Sequence, residues 1–194
     1  MSGAKKARIL EKTPLYEGFL KLYRYRFEIE RHDGGGSRVV RWEMMERGRS
    51  VGVLGHDPAR DEIVLVNECR PGVLVNGGYP FRDQLVAGVI DGEESPLEAA
   101  AREMREEAGL ELTNAVLIHP GAYVSSGGTS ERIALVYGTV DTSRAGGIHG
   151  TDENEDTLVV VQPAQTFVDR VRGGDIDDFK TLLAGYWFAE RLKR

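Results

Sequence analysis

The chain has 194 residues, 41% of them hydrophobic, which is enough for one sizeable globular unit and marginal for two. Its 25 basic and 31 acidic residues give a net charge of -6, without the basic stripe that follows a phosphate backbone. Cys69 is the only cysteine, which excludes an intrachain disulfide framework and a cysteine zinc site.

The chain begins with the basic segment "MSGAKKARILEKTP", which lacks the apolar run of a signal peptide. No later segment approaches the length of a membrane-spanning helix. We therefore expect a cytoplasmic protein that binds neither a membrane nor a nucleic acid.

Two β-hairpins are predicted in the first part of the chain. Residues 18–46 alternate apolar and polar side chains on both sides of "HDGGGS", whose three glycines are typical of a turn. Residues 50–72 repeat this pattern and turn at Asp57 and Pro58. We expect residues 1–47 to form an N-terminal β subdomain and residues 48–194 to form the main domain.

More strands and three helices are predicted in the rest of the chain. The segment "QLVAGVI" is typical of one apolar strand, and "AVLIHPGAYV", "ERIALVYGTV" and "TLVVVQ" predict others. Residues 163–174 predict a short helix and residues 175–194 a longer one. Strands on either side of one acidic helix, followed by two closing helices, predict a mixed α/β sandwich.

The acidic helix has clear start and stop signals. Ser95, Pro96 and Glu98 form a capping box with proline at the first helical position, and Gly109 suits the left-handed residue that ends a helix. The apolar stripe predicted to be buried consists of Leu97, Ala100, Ala101, Met104 and Ala108.

Three glutamates, Glu103, Glu106 and Glu107, crowd this helix although like charges at such spacings repel each other. A hard cation would neutralise them, since magnesium prefers carboxylate and carbonyl oxygens and shares its coordination with substrate phosphates. The alternative is a solvated helix face on which glutamates pair with Arg102 and Arg105. The helix alone leaves both interpretations open.

The residues before the helix favour the metal site. Gly88 is followed after five residues by Glu94, and Glu94 after seven by "REMREEAGL", residues 102–110. With this spacing the chain resembles the Nudix hydrolases, whose motif is present in full. The motif residues are Gly88, Glu94, Arg102, Glu103, Glu106, Glu107 and Gly109.

The resemblance implies a Nudix α/β/α sandwich of mixed sheets with an N-terminal β-hairpin subdomain. It also implies cleavage of a nucleoside diphosphate linked to another group, with about two or three magnesium or manganese ions as cofactors. The segments "YEGF", "ERG", "GGTSER" and "GIHGTDENED" make the chain most similar to bacterial ADP-ribose pyrophosphatases. The implied reaction is hydrolysis of ADP-ribose to AMP and ribose 5-phosphate by attack of water on one phosphorus.

The resemblance further implies roles for individual residues. The implied metal ligands are the carbonyl of Ala87 and the carboxylates of Glu103, Glu107 and Glu155, with Glu106 in support. Glu153 would be the general base, in a segment "TDENED" whose alternative interpretation is an ordinary acidic surface loop. The implied substrate-binding residues are Phe19, Trp42, Arg47, Arg70, Val89, Ser125, Ser126, Gly127 and Glu131.

In this family pattern Phe19 would reach the adenine from the neighbouring subunit, which implies a homodimer with a shared or exchanged N-terminal segment. The chain departs from its relatives at Ser126, where they usually carry proline, and at Trp42, where the bacterial ones often carry arginine. Trp42 is either a packed hairpin residue or an aromatic face for a base.

Two alternative functions stay open at this point. The first is the same chemistry on another nucleoside diphosphate sugar, such as GDP-mannose. The second is a Nudix-fold ligand sensor without turnover, which the retained glutamates disfavour because such modules commonly lose them.

Overall fold

The computed structural model describes residues 4–150 and 156–192. The first strands are β1 (Ala7–Glu17), β2 (Lys21–Glu30) and β3 (Ser37–Glu46), and the remaining strands are β4 (Arg49–Asp57), β5 (Glu62–Cys69), β6 (Phe81–Gln84), β7 (Val86–Val89), β8 (Thr113–Tyr123), β9 (Arg132–Thr139), β10 (Ile148–His149) and β11 (Thr157–Pro163). The helices are α1 (Pro71–Val75), α2 (Pro96–Ala108), α3 (Ala164–Gly173) and α4 (Phe179–Leu192), with a short 3-10 helix at Thr142–Arg144.

The chain divides into two compact units. The first comprises Met1–Gly48 together with Tyr123–Arg132, and the second comprises Arg49–Ala122 and Ile133–Arg194. The segment Tyr123–Arg132 joins the first unit through β3, because the Met45 N–H donates to the Gly128 carbonyl at 2.9 Å and the Ser130 N–H donates to the Met45 carbonyl at 3.0 Å.

The first unit contains a three-stranded antiparallel sheet in the order β1-β2-β3. Strands β2 and β3 pair in register from Lys21↔Glu46 to Glu30↔Ser37, which confirms the predicted hairpin and its glycine turn. Strand β1 was not predicted, because Pro14 interrupts its pattern. Proline is tolerated here since β1 is an edge strand, and the register shifts between Pro14 and Tyr16.

The second unit is built on a sheet in the order β10-β11-β5-β4-β9-β8, with β6 paired to β5 and β7 paired to β4. Strands β4 and β5 form the second predicted hairpin, in register from Gly55↔Val64 to Asp57↔Glu62. The sheet forks on the side of the Gly55↔Val64 pair that is away from the turn. There β4 pairs with β7 through residues 50–53, and β5 pairs with β6 through residues 66–69. The single strand predicted for "QLVAGVI" is therefore wrong: the chain changes partner at Leu85.

Helices cover both faces of this sheet. Successive residues of a strand point to opposite faces, so Val64 and Val66 pack in one buried cluster while Ile63 and Leu65 pack in another. Helix α2 supplies Ala99, Ala100, Met104 and Ala108 to the first cluster. Helices α3 and α4 supply Phe167, Val168, Val171, Ala184, Phe188 and Ala189 to the second. This three-layer arrangement confirms the predicted α/β sandwich.

All three predicted helices are present, although α4 begins at Phe179 rather than at residue 175. Helix α2 starts and stops where its caps predict, but Leu97 is exposed, and Ala99 is buried in its place. On α4, Phe179 and Tyr186 are exposed while Gly185 and Phe188 are buried, and the small Gly185 lies close to Val171 and Phe167 of α3. Among the described residues no helix is long and apolar enough to cross a membrane.

Candidate active site

The predicted site lies where α2 packs beside β7. Ser95 accepts the N–H of Glu98 and the Glu98 carboxylate accepts the N–H of Ser95, so the capping box fixes the start of α2. Gly109 ends the helix in the left-handed conformation with φ 66°. Both ends of the helix that carries the motif glutamates are therefore set by local sequence.

Arg102 is the centre of an ion-pair cluster at this site. Its guanidinium donates twice to the carboxylate of Glu94, at 3.1 and 3.0 Å, and once each to Glu103 at 2.7 Å and Glu106 at 2.9 Å. A fifth hydrogen bond of 2.8 Å reaches the carbonyl of Val89, so the side chain uses its whole donor set. Arg102 lowers the pKa of Glu94, and its carboxylate partners raise its own pKa.

Glu103 points from α2 onto the backbone of β7. Its side chain is buried, with only 7% of the residue exposed. A Cβ atom at Gly88 would overlap its carboxylate, so glycine is required for this close approach. The motif glycine therefore makes room for a motif glutamate.

Glu107 lies one helical turn further along α2 and contacts the same strand. Its carboxylate accepts the N–H of Ala87 at 3.0 Å. Burial raises the pKa of Glu107 to about 8, and the negative charges of Glu68 and Glu103 also raise it. The hydrogen bond from Ala87 and the positive charge of Arg70 lower this pKa and so partly oppose the shift. A partly buried carboxylate with two acidic neighbours suits a bound cation.

Glu68 and Arg70 complete the acidic region from the end of β5. They form an ion pair, and Arg70 is more exposed than Glu68. Both charges act on Glu107, in opposite directions. Sequence analysis identified Arg70 but missed Glu68, although its position at the polar end of the buried strand "IVLVNEC" was a usable signal.

The donor set fits a hard divalent cation. Glu103 and Glu107 meet β7 at Gly88 and Ala87, so two carboxylates lie against the strand whose Ala87 carbonyl is the third predicted ligand. Within the described residues, Glu107 has no cationic side chain in direct contact. Within residues 4–150 and 156–192, no group of three His, Cys, Asp or Glu side chains is placed to hold a metal ion. Of the predicted ligand side chains in that part of the chain, Glu103 and Glu107 contact β7, while Glu103 and Glu106 both accept a hydrogen bond from Arg102.

Two predicted residues, the metal ligand Glu155 and the general base Glu153, lie outside the described residues. Of the predicted substrate-binding residues, Arg70 and Val89 belong to the second unit with the α2 glutamates. Val89 contributes its carbonyl to Arg102 and exposes half of its side chain.

The other predicted substrate-binding residues belong to the first unit. They are Phe19, Trp42, Arg47, Ser125, Ser126, Gly127 and Glu131. Phe19, between β1 and β2, is 94% exposed. Trp42 is 48% exposed and lies against Phe27, with ring centroids 5.5 Å apart, so it combines packing with an open aromatic face. Ser125 accepts the N–H groups of Gly128 and Thr129, which closes the turn that contains Ser126 and Gly127.

The chain is similar to several known proteins. The model of the NUDIX domain matches residues 46–177. The ADP-ribose pyrophosphatase of Escherichia coli (strain K12) is 39% identical over 188 residues, covering 95% of this chain and 88% of that protein. The GDP-mannose pyrophosphatase of Pectobacterium atrosepticum is 30% identical over 176 residues, covering 90% of each.

A solved structure supports the fold independently. The crystal structure of an ADP compounds hydrolase is similar with a TM-score of 0.74 and 20% identity, covering 97% of this chain and 95% of that one. At that identity the likeness concerns the fold alone. Together with the domain match and the E. coli relative, it confirms the resemblance predicted from the motif, and the chain belongs to the Nudix family.

Proposed function

We propose that this chain is a divalent-metal-dependent hydrolase that cleaves ADP-ribose to AMP and ribose 5-phosphate. The observation that carries the proposal is the convergence of Glu103 and Glu107 on β7 at Gly88 and Ala87. The ADP-ribose pyrophosphatase of Escherichia coli (strain K12) is 39% identical over 95% of this chain, which supports the choice of substrate.

The residues that would hold magnesium or manganese are Glu103, Glu107, Glu155 and the carbonyl of Ala87. When bound, the metal would neutralise charge on the pyrophosphate and so favour attack on phosphorus. Glu106 would act indirectly, because its carboxylate and that of Glu103 accept hydrogen bonds from the same Arg102 guanidinium.

The chain's own residues would bind the substrate and move the proton. Arg70 would contact the pyrophosphate, to which its guanidinium can donate two parallel hydrogen bonds. Glu153 would take a proton from the attacking water, whose oxygen forms the new bond to phosphorus as the bond to the bridging oxygen breaks. Arg102 would keep the α2 carboxylates in place, since its cluster joins Glu94, Glu103 and Glu106.

The substrate proposal is tested by incubating the protein with magnesium and ADP-ribose, GDP-mannose, NADH or diadenosine compounds, and ranking kcat/KM. ADP-ribose should rank at or near the top. GDP-mannose is the second candidate, favoured by the 30% identical relative that covers 90% of the chain. A protein that binds these compounds and turns over none of them would be a ligand sensor, and the hydrolase proposal would fail.

We also propose a homodimer formed through the N-terminal sheet. Strand β1 is exposed along its whole length, and a sheet of this size needs an apolar surface to pack against. Ile9, Leu15, Tyr16 and Phe19 present apolar side chains to solvent in this unit. Light scattering at micromolar concentration should give twice the chain mass of 21.4 kDa. A fully active monomer would contradict the dimer.

A further inference from the structure

A polar cluster at the start of α4 is not used by the proposed reaction. It consists of Asp178, Lys180 and Thr181, and it contacts the fork of the sheet at Gln84 and Leu85. Thr181 is completely buried, with 0% of its surface exposed. Polar side chains that are this deeply buried need a hydrogen-bonding role to offset their desolvation.

Thr181 satisfies the backbone at the point where the sheet forks. The pairing of β6 with β5 ends at Gln84, and the pairing of β7 with β4 starts at Val86, so Leu85 lies between the two ladders. The Leu85 N–H instead donates to the Thr181 hydroxyl at 3.0 Å. The hydroxyl in turn donates to the carboxylate of Asp178, which also accepts the Thr181 N–H at 3.0 Å.

Lys180 holds the residue before the fork. Its ammonium group donates to the side-chain oxygen of Gln84 at 2.7 Å and to Asp178 at 2.9 Å. The side chain of Lys180 is only 12% exposed. Burial lowers the pKa of Lys180, although the nearby Asp178 carboxylate acts to raise it. Burial acts to raise the pKa of Asp178, but Lys180 and Thr181 outweigh it, so the pKa of Asp178 is lowered. The charged pair therefore fixes Gln84 and orients the Asp178 carboxylate toward Thr181.

The same strand enters the candidate metal site two residues later. Ala87 donates its N–H to Glu107 at 3.0 Å, and Gly88 faces the carboxylate of Glu103. Strand β7 is thus held at its start by α4 and at its middle by α2. Any shift of Leu85 changes the position of the Ala87 carbonyl relative to these two carboxylates.

We infer that Asp178 and Thr181 are positioning residues for the divalent cation: through the Leu85 N–H they place β7 so that the Ala87 carbonyl faces the carboxylates of α2. This inference rests on the metal site of the proposed function. It assigns Asp178 and Thr181 no contact with the substrate. Its physical basis is that partners of the ligating groups fix their orientation and therefore the affinity of the site.

The chain offers a matched control in Thr142. This threonine is also buried, its N–H and hydroxyl lie 2.9 and 2.8 Å from one carboxylate oxygen of Asp57, and its hydroxyl also contacts the carboxylate of Glu62. Asp57 ends β4 and lies at the closed end of the hairpin, opposite the fork. Thr142→Val therefore removes the same kind of hydrogen bond without touching β7.

The experiment compares Thr181→Val, Thr181→Ser and Thr142→Val in the full chain. Binding of Mn²⁺ is measured without substrate by electron paramagnetic resonance, amide exchange of Leu85 by NMR, and unfolding by thermal melting. Thr181→Val should bind Mn²⁺ about 10-fold more weakly, the lower end of the range for partners of metal ligands. It should also speed exchange at Leu85. Thr181→Ser should retain both properties, and Thr142→Val should lower Tm without changing Mn²⁺ affinity.

Several results would overturn the inference. Faster exchange at Leu85 with unchanged Mn²⁺ affinity would leave Thr181 a structural role only, and equal losses of affinity in Thr142→Val would indicate a global effect. If Thr181→Val does not fold, Asp178→Asn decides, because unchanged Mn²⁺ affinity in that variant also contradicts the inference. Absence of ADP-ribose turnover by the unmodified protein would remove the proposed substrate but not these binding results.

Discussion

The glutamates at the two ends of the α2 region lie in opposite electrostatic environments. Glu94, just before the helix, receives two hydrogen bonds from Arg102, which lowers its pKa. Glu107, near the end of the helix, is partly buried, and this burial together with the charges of Glu68 and Glu103 raises its pKa to about 8. The first carboxylate is neutralised by Arg102, whereas the second has no ion pair within the described residues. We therefore expect Glu94 to support the helix and Glu107 to bind the metal of the proposed function.

The largest effect is expected at Glu153, the proposed general base that takes a proton from the attacking water. Glu153→Gln should lower kcat by about 100-fold to 10,000-fold, because the nucleophile loses its proton acceptor. Metal affinity and fold should not change, which titration with Mn²⁺ and circular dichroism would check. Glu155→Gln is the control, since it should also weaken metal binding. A Glu153→Gln enzyme that keeps more than about a third of kcat would place the base elsewhere, with Glu106 the next candidate.

The next effect tests the binding side of the comparison. Glu107→Gln should weaken magnesium binding by at least the roughly 10-fold to 100-fold seen when partners of metal ligands are lost, because amide oxygen is a poorer ligand for a hard cation. Excess magnesium should restore part of the activity. Measuring the rate of hydrolysis against magnesium concentration gives the shift directly. Glu94→Gln is the matched control, and a larger shift in the control would reverse the comparison.

A smaller effect tests the supporting side. Arg102→Lys cannot reproduce the five hydrogen bonds of the guanidinium and should lower the free energy of unfolding by about 2 kcal/mol, the range for hydrogen bonds to charged groups. Urea unfolding would measure it. Arg105→Lys should change little, because Arg105 is half exposed and lies 3.7 Å from its partner Glu111. Equal losses in the two variants would mean that the cluster adds no stability of its own.

Sequence predicted those parts of the site that depend on local interactions. Ser95 and Gly109 act within a few residues of themselves, so the ends of α2 were identifiable without tertiary information. The spacing of Glu103 and Glu107 is a property of the helix, so their place on one face was predictable, whereas their contact with β7 is seen only in the structure.

Sequence failed where distant segments decide the outcome. The break at Leu85 depends on which strand each half pairs with, and its N–H is satisfied by Thr181, which lies 96 positions away in the chain. Glu68 acquires importance only when the end of β5 comes near α2. A hydrophobic pattern records burial of one segment at a time and carries no signal for such pairings.

Glu107 and Glu94 should also differ in how the stability of the metal-free protein depends on pH. Glu107 ionises near its ordinary value of 4.5 when unfolded but near 8 when folded, so between these values the folded chain binds more protons. Stability from this group is therefore greatest below pH 4.5 and falls as pH rises to 8. Glu107→Gln removes the penalty. In the presence of a chelator, the variant should gain Tm relative to the unmodified protein progressively from pH 5 to pH 8.

Glu94 should show the opposite sign in the same experiment. Its pKa is lowered in the fold by Arg102, so its stabilisation is present above pH 4.5 and is lost as the pH falls through its folded value. Glu94→Gln should therefore be less stable than the unmodified protein from pH 5 to pH 8, and the gap should close in acid. If the two variants shift Tm in the same direction at pH 8, burial of Glu107 does not oppose its ionisation. A cation at this end of the helix would then have to be attracted by groups other than Glu107.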